Sequence, residues 1–163
     1  MLACKGDLTV NDSTTLVAAV TDSSPRAPCR VLLASSEYAL ANTLAISRSV
    51  QVISVLAAGR AVLRAVPAHK HHVLSVSAGD VVLDGVAIVD GGAMGGYYCP
   101  DGCGGGMYIT GGNVRLHNSI VANNTALVRR PPSLTPAVAT SPRCVPMRRD
   151  LTSEFAHVWL CMW

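Results

Sequence analysis

The chain has 163 residues, enough for one domain with a modest core. Half of them are apolar but only 4% are aromatic, so Val, Ala, Leu and Ile favour stacked β structure over an aromatic-centred core. The net charge of +3 arises wholly in residues 127–163, because residues 1–126 balance eight basic against eight acidic side chains and so lack the electrostatic footprint of a DNA or RNA partner.

Residues 1–29 read as an N-terminal segment, with an irregular start over 1–11. Met1 to Lys5 lacks the charged and apolar regions of a signal peptide. Asp12, Ser13 and Thr14 offer helix N-caps before Leu16-Val17-Ala18-Ala19-Val20, and Asp22-Ser23-Ser24-Pro25 ends the segment, so a short amphipathic helix is predicted over 13–21. An apolar strand follows at 30–34. Short β runs then alternate with turns: 44–46, 50–53, 61–63, 73–76, 81–83, 86–89, 107–109, 114–116 and 119–121. No run reaches about 18 apolar residues, so no membrane span is expected.

The rhythm repeats internally. Sliding residues 73–92 by 33 positions places Val81 on Val114, Leu83 on Leu116, Gly79 on Gly112, Val76 on Ile109, Asp80 on Asn113 and Asp90 on Asn123. Such repetition implies stacked coils with apolar ladders inside and Asn or Gly at corners that need left-handed backbone. An antiparallel β-sandwich is the competing architecture, and it calls for longer strands and less repetitive loops. Ten of the fourteen glycines fall between Gly91 and Gly112, marking 91–106 as a Gly-rich excursion from one coil. After Ala126 the glycines stop and five of the nine prolines follow. Residues 127–163 therefore read as a basic, Pro-containing, irregular and disordered tail, with one short helix near 150–161. The change is abrupt enough to suggest a tail foreign to the fold, from a mis-predicted exon or a frameshift.

Residues 104–126, from Gly104-Gly105-Gly106-Met107-Tyr108-Ile109 through Gly111-Gly112-Asn113-Val114-Arg115-Leu116 to Asn123-Asn124-Thr125-Ala126, resemble a coil repeat of pectin-lyase-like β-helix proteins. That family includes polymorphic outer-membrane adhesins and many algal surface proteins. Val81–Gly92 resembles the preceding coil, and the predicted helix with 30–40 resembles the cap and first coil. The resemblance implies an all-β fold: a right-handed parallel β-helix of about three coils over 30–126, with a short N-terminal cap helix and an irregular tail. It also implies an extracellular or cell-surface location. It does not fix an activity, because fold does not imply function.

Lyases of this fold cluster carboxylates around calcium, which needs several oxygen ligands at once. Asp80, Asp84, Asp90 and Asp101 face Asn113, His117 and Asn123 one repeat away, so no carboxylate ladder is expected, and the hydrolase signatures are missing. No catalytic residue, metal site or cofactor is assigned, and the aspartates read as corner caps. Tyr97 and Tyr98, on the excursion, are the candidate glycan-binding residues. Cys99 and Cys103 are the candidate disulfide, while Cys4, Cys29, Cys144 and Cys161 suggest no pairing. His69-Lys70-His71-His72 reads as a solvated loop, and His117 as a corner residue. Asn11-Asp12-Ser13 and Asn123-Asn124-Thr125 match the N-glycosylation sequon, with Asn123 expected to be buried in a corner. The expected function is a non-catalytic segment of a secreted or surface protein contacting glycans or cell-surface proteins. The alternatives are a fragment of a pectin-lyase-like carbohydrate-active enzyme and a truncated non-functional product.

Overall fold

The structure, a computed structural model, describes residues 5–24, 27–68, 70–93 and 105–126, together with 145–146 and 159–160. It opens with β1 (Lys5–Val10) and α1 (Ser13–Thr21). There follow β2 (Pro28–Leu33), β3 (Glu37–Leu40) and β4 (Leu44–Ile46), then β5 (Val50–Ser54), β6 (Ala61–Ala65) and β7 (Leu74–Val76). Next come β8 (Asp80–Asp84), β9 (Val86–Val89), β10 (Gly92–Ala93) and β11 (Met107–Ile109). The series continues with β12 (Asn113–His117), β13 (Ile120–Ala122) and β14 (Thr125–Ala126). Two short strands, β15 (Val145–Pro146) and β16 (Trp159–Leu160), pair antiparallel, so 159–160 is extended where a helix was expected.

The remaining described strands all pair in parallel, in three larger sheets and the two-stranded β10–β14. Their orders are β1-β2-β5-β8-β12, β13-β9-β6-β3 and β11-β7-β4. Parallel pairing removes the antiparallel sandwich. The chain visits the three sheets in the same cyclic order from β2 onward, so each circuit lays one strand beside its predecessor in every sheet. The 33-residue repeat is literal: Val114 pairs with Val81, Leu116 with Leu83, Asn113 with Asp80 and Ile109 with Val76.

This register aligns the inward side chains. In the first sheet Leu8, Val31, Val52, Leu83 and Leu116 form one ladder. Tyr38, Leu63, Ile88 and Val121 form the second, and Leu44, Leu74 and Met107 run beside Ile46, Val76 and Ile109 in the third. Burying each Val, Leu or Ile contributes about 1.5–3 kcal/mol. The interior rungs are buried, whereas the end rungs Leu8 and Leu116, each paired with one described strand, are 42% and 41% exposed.

Several strands lie outside the predicted runs, β1 and β3 the longest among them. Residues expected to form an irregular start make β1, an edge strand in which Val10 is buried and residues 6–9 are exposed. Strand β3 escaped because its alternation is only two apolar rungs long, Tyr38 and Leu40. Tyr38 is fully buried, donates its hydroxyl to the Val10 carbonyl at 2.7 Å and accepts from the Ser35 N–H at 3.0 Å. It thereby ties β1 to the corner that precedes β3.

Helix α1 matches its expected bounds. Asp12 caps it, its Oδ1 accepting from the Thr15 N–H at 2.9 Å. Leu16, Ala19 and Val20, at helical spacing, are buried against the first strands. Arg48 holds the other end, donating from Nη2 to the Ala19 carbonyl and from Nη1 to the Pro28 carbonyl, both at 2.8 Å. A cation is favoured at a helix C-terminus, where carbonyls lack intrahelical donors. Partial burial draws the Arg48 pKa down, and nearby Asp22 opposes that shift.

Two stability outcomes follow from the helix contacts. Arg48→Ala removes both hydrogen bonds and is expected to cost about 1–2 kcal/mol in urea denaturation, after discounting for solvent; an unchanged midpoint would show that Arg48 does not anchor the helix. Hydrogen bonds from Thr15 lower the Asp12 pKa. A depressed folded-state pKa stabilises above the ordinary carboxylate range and is lost as pH falls through the folded value. Asp12→Ala should therefore lower Tm at neutral pH, and thermal melts should converge with the parent in strong acid.

Candidate functional site

The Gly-rich segment connects β10 to β11, and the structure describes its two ends, residues 91–93 and 105–106. Tyr97, Tyr98, Cys99 and Cys103 lie outside the described residues. The base is built by glycines and one asparagine. A Cβ at Gly91 would strike the Gly105 carbonyl, one at Gly105 the Thr125 backbone, and one at Gly106 the Asn124 amide. Close backbone approach, rather than loop flexibility, explains glycine at these three positions.

Asn124 occupies the resulting seam. Its Oδ1 accepts from the Gly91 N–H at 2.7 Å, and its Nδ2 donates to the Ile88 carbonyl at 3.0 Å. The Thr125 N–H bonds the Gly91 carbonyl at 2.8 Å, and the Gly92 N–H bonds the His71 carbonyl at 2.9 Å. Val73 and Leu74 both donate to the Gly106 carbonyl, at 3.1 and 3.0 Å. Both limbs of the excursion are thus fixed to neighbouring circuits.

Beside this base lies an aromatic pair. His72 and Tyr108 stack with ring centroids 5.1 Å apart and planes 13° from parallel. Both are half-buried. Tyr108 is the outward residue of β11, between the inward Met107 and Ile109. His71 Nδ1 lies 2.8 Å from the His72 carbonyl oxygen, which can only accept, so that nitrogen carries the proton. His71 Nε2 is buried without a hydrogen-bond partner among the described residues. Of the expected solvated loop, Lys70 is exposed and His69 lies outside the described residues, whereas His71 and His72 are half-buried at the excursion base. The pair was missed because its members are far apart in sequence, joined by the Leu74–Met107 register.

Asp80, Asp84 and Asp90 take structural roles, and Asp101 lies outside the described residues. Asp80 Oδ1 accepts from Asn113 Nδ2 at 2.9 Å, and Asp84 Oδ1 from Asn118 Nδ2 at 3.2 Å. Asp90 lies 3.1 Å from Arg64 Nε, an ion pair whose angle falls short of a hydrogen bond. Each carboxylate is committed to a neighbouring strand or corner. His117 sits at the Asp84 register position, as the repeat predicted. Among the described residues no group of three His, Cys, Asp or Glu is placed to hold a metal ion. Also among them, no helix is long and apolar enough to cross a membrane. Cys29 is disulfide-bonded, a pairing the cysteine spacing did not reveal.

Comparison with protein-family models, with curated proteins and with solved structures finds no match.

Replacing Asn124 by Ala strips the seam of both hydrogen bonds and leaves the Gly91 N–H and Ile88 carbonyl to find new partners. The expected loss is about 1–3 kcal/mol, with faster amide exchange at Gly91 than at the β5–β8 seam. Equal exchange at the two seams would show that Asn124 does not hold the excursion base.

Proposed function

We propose that the chain is a right-handed parallel β-helix segment of a secreted or cell-surface protein, and that it contacts glycans passively rather than cleaving them. The cyclic visiting of three parallel sheets supports the helical winding. The right-handed sense follows the strong preference of parallel crossover connections. The resemblance of residues 104–126 to pectin-lyase-like coils points the same way. A disulfide at Cys29 fits an oxidising compartment.

One observation carries the functional reading: the Tyr108–His72 stack stands half-exposed beside a Gly-rich excursion whose two limbs are bonded to adjacent circuits. A sugar ring offers an apolar face to a flat aromatic surface and hydroxyls to polar loop groups. A fixed base lowers the ordering cost of such contacts. Tyr97 and Tyr98, in the same Gly-rich stretch of sequence, remain candidate glycan-binding residues. The acids of the stack, already engaged with Asn113, Asn118 and Arg64, serve the scaffold.

A glycan array on the full chain, with and without calcium and with product analysis of pectic oligosaccharides, tests this. Selective binding that survives chelation, yields no product and weakens by up to about tenfold in Tyr108→Ala is the expected result. Calcium-dependent cleavage would replace the reading with polysaccharide breakdown and direct attention to Asp80, Asp84 and Asp90. Absence of both binding and cleavage would reject glycan contact.

A further inference from the structure

The corner between β13 and β14 divides its work between adjacent asparagines. Asn124 is half-buried, and both ends of its amide are bonded within the seam. Asn123 is exposed, has φ of 54°, and makes no side-chain hydrogen bond to a described residue. The equivalent corner one circuit earlier holds Asp90, with φ of 59°, which is half-buried and paired with Arg64. Left-handed backbone suits Asn and Asp alike, so the geometry accounts for an Asn at 123 without using its amide. Thr125, two residues on, is also exposed. Burial had been expected at Asn123, and the structure reverses it.

We propose that Asn123 is an N-glycosylation site, with Thr125 completing the Asn-x-Thr acceptor. Its Nδ2 would lose one proton and form a bond to the anomeric carbon of an oligosaccharide, as the bond from that carbon to a lipid-linked pyrophosphate breaks and the lipid pyrophosphate leaves. The exposed side chain lets the folded corner carry the sugar, whereas a glycan on Asn124 would break the seam. The disulfide at Cys29 independently fits a compartment where this chemistry occurs. The inference rests on the secreted reading for its compartment, but on the corner alone for its site.

The test appends a secretion leader to the full chain, expresses it in eukaryotic cells, and reads mobility before and after an N-glycan-releasing amidase in both lysate and medium. One mobility increment should vanish in Asn123→Gln and in Thr125→Ala and persist in Thr125→Ser. Peptide mass spectrometry should show Asn123 converted to Asp by the amidase. The second sequon, at Asn11, is read separately through Asn11→Gln. Unmodified Asn123 in the parent chain, or a shift that is lost only in Asn11→Gln, overturns the proposal. Because the leader imposes the compartment, this result stands apart from the glycan array: the two readings can fail independently.

Discussion

Every longer-range feature of this chain depends on parallel backbone pairing between successive circuits. The strands are only two to six residues long, too short to be stable alone or to bury a face of their own. Pairing satisfies their N–H and C=O groups and also sets register. A one-residue slip would turn Val31, Val52 and Leu83 outward and put Arg30, Gln51 and Val82 inside. Inserting the Arg30 guanidinium and Gln51 amide among these apolar rungs without partners would be costly. Side-chain sorting therefore locks the register that the backbone alone would leave free. Connections vary in length without disturbing the ladders, as the 31-residue spacing of Val50 and Val81 beside the later 33-residue repeat shows.

Much of this architecture was legible because the repeat carries both apolar periodicity and corner chemistry. The sequence repeat aligns Val81, Leu83 and Gly79 with Val114, Leu116 and Gly112, and the first two pairs are register partners in the sheet. Gly79 and Gly112 have φ of 88° and 80°, and a Cβ on Gly112 would collide with the Gly79 carbonyl. Here a steric demand wrote itself directly into composition. Strand β1 was obscure for the opposite reason. Its Lys5-Gly6-Asp7 opening lacks apolar alternation, and its order comes from β2 on one flank and from Tyr38, 28 residues beyond Val10.

The candidate site was less legible because its parts become neighbours only through folding. The Gly-rich composition marked the excursion, but not the reason for its glycines. Gly91, Gly105 and Gly106 permit backbone and Asn124 to converge from three chain positions. The His72–Tyr108 stack arises from the same register. The paired asparagines show the limit most clearly: adjacent residues with the same side chain have opposite environments, Asn124 serving the seam and Asn123 facing solvent. Local composition identifies polar corner residues, but only the turn of the backbone assigns which amide is consumed.

The seam also explains how a repetitive scaffold can carry a non-repetitive loop. Inserting residues between paired strands carries a loop-closure cost that grows only slowly with length, but an unanchored insertion would loosen the circuits on either side. Here the extra bonds lie at the points of departure and return: Gly92 N–H to His71 carbonyl, Val73 and Leu74 N–H groups to Gly106 carbonyl, and Asn124 across the gap. The excursion can therefore change in sequence while the interior rungs retain their neighbours. The two roots are fixed, and the glycines that look permissive in the sequence are the residues that make those roots tight.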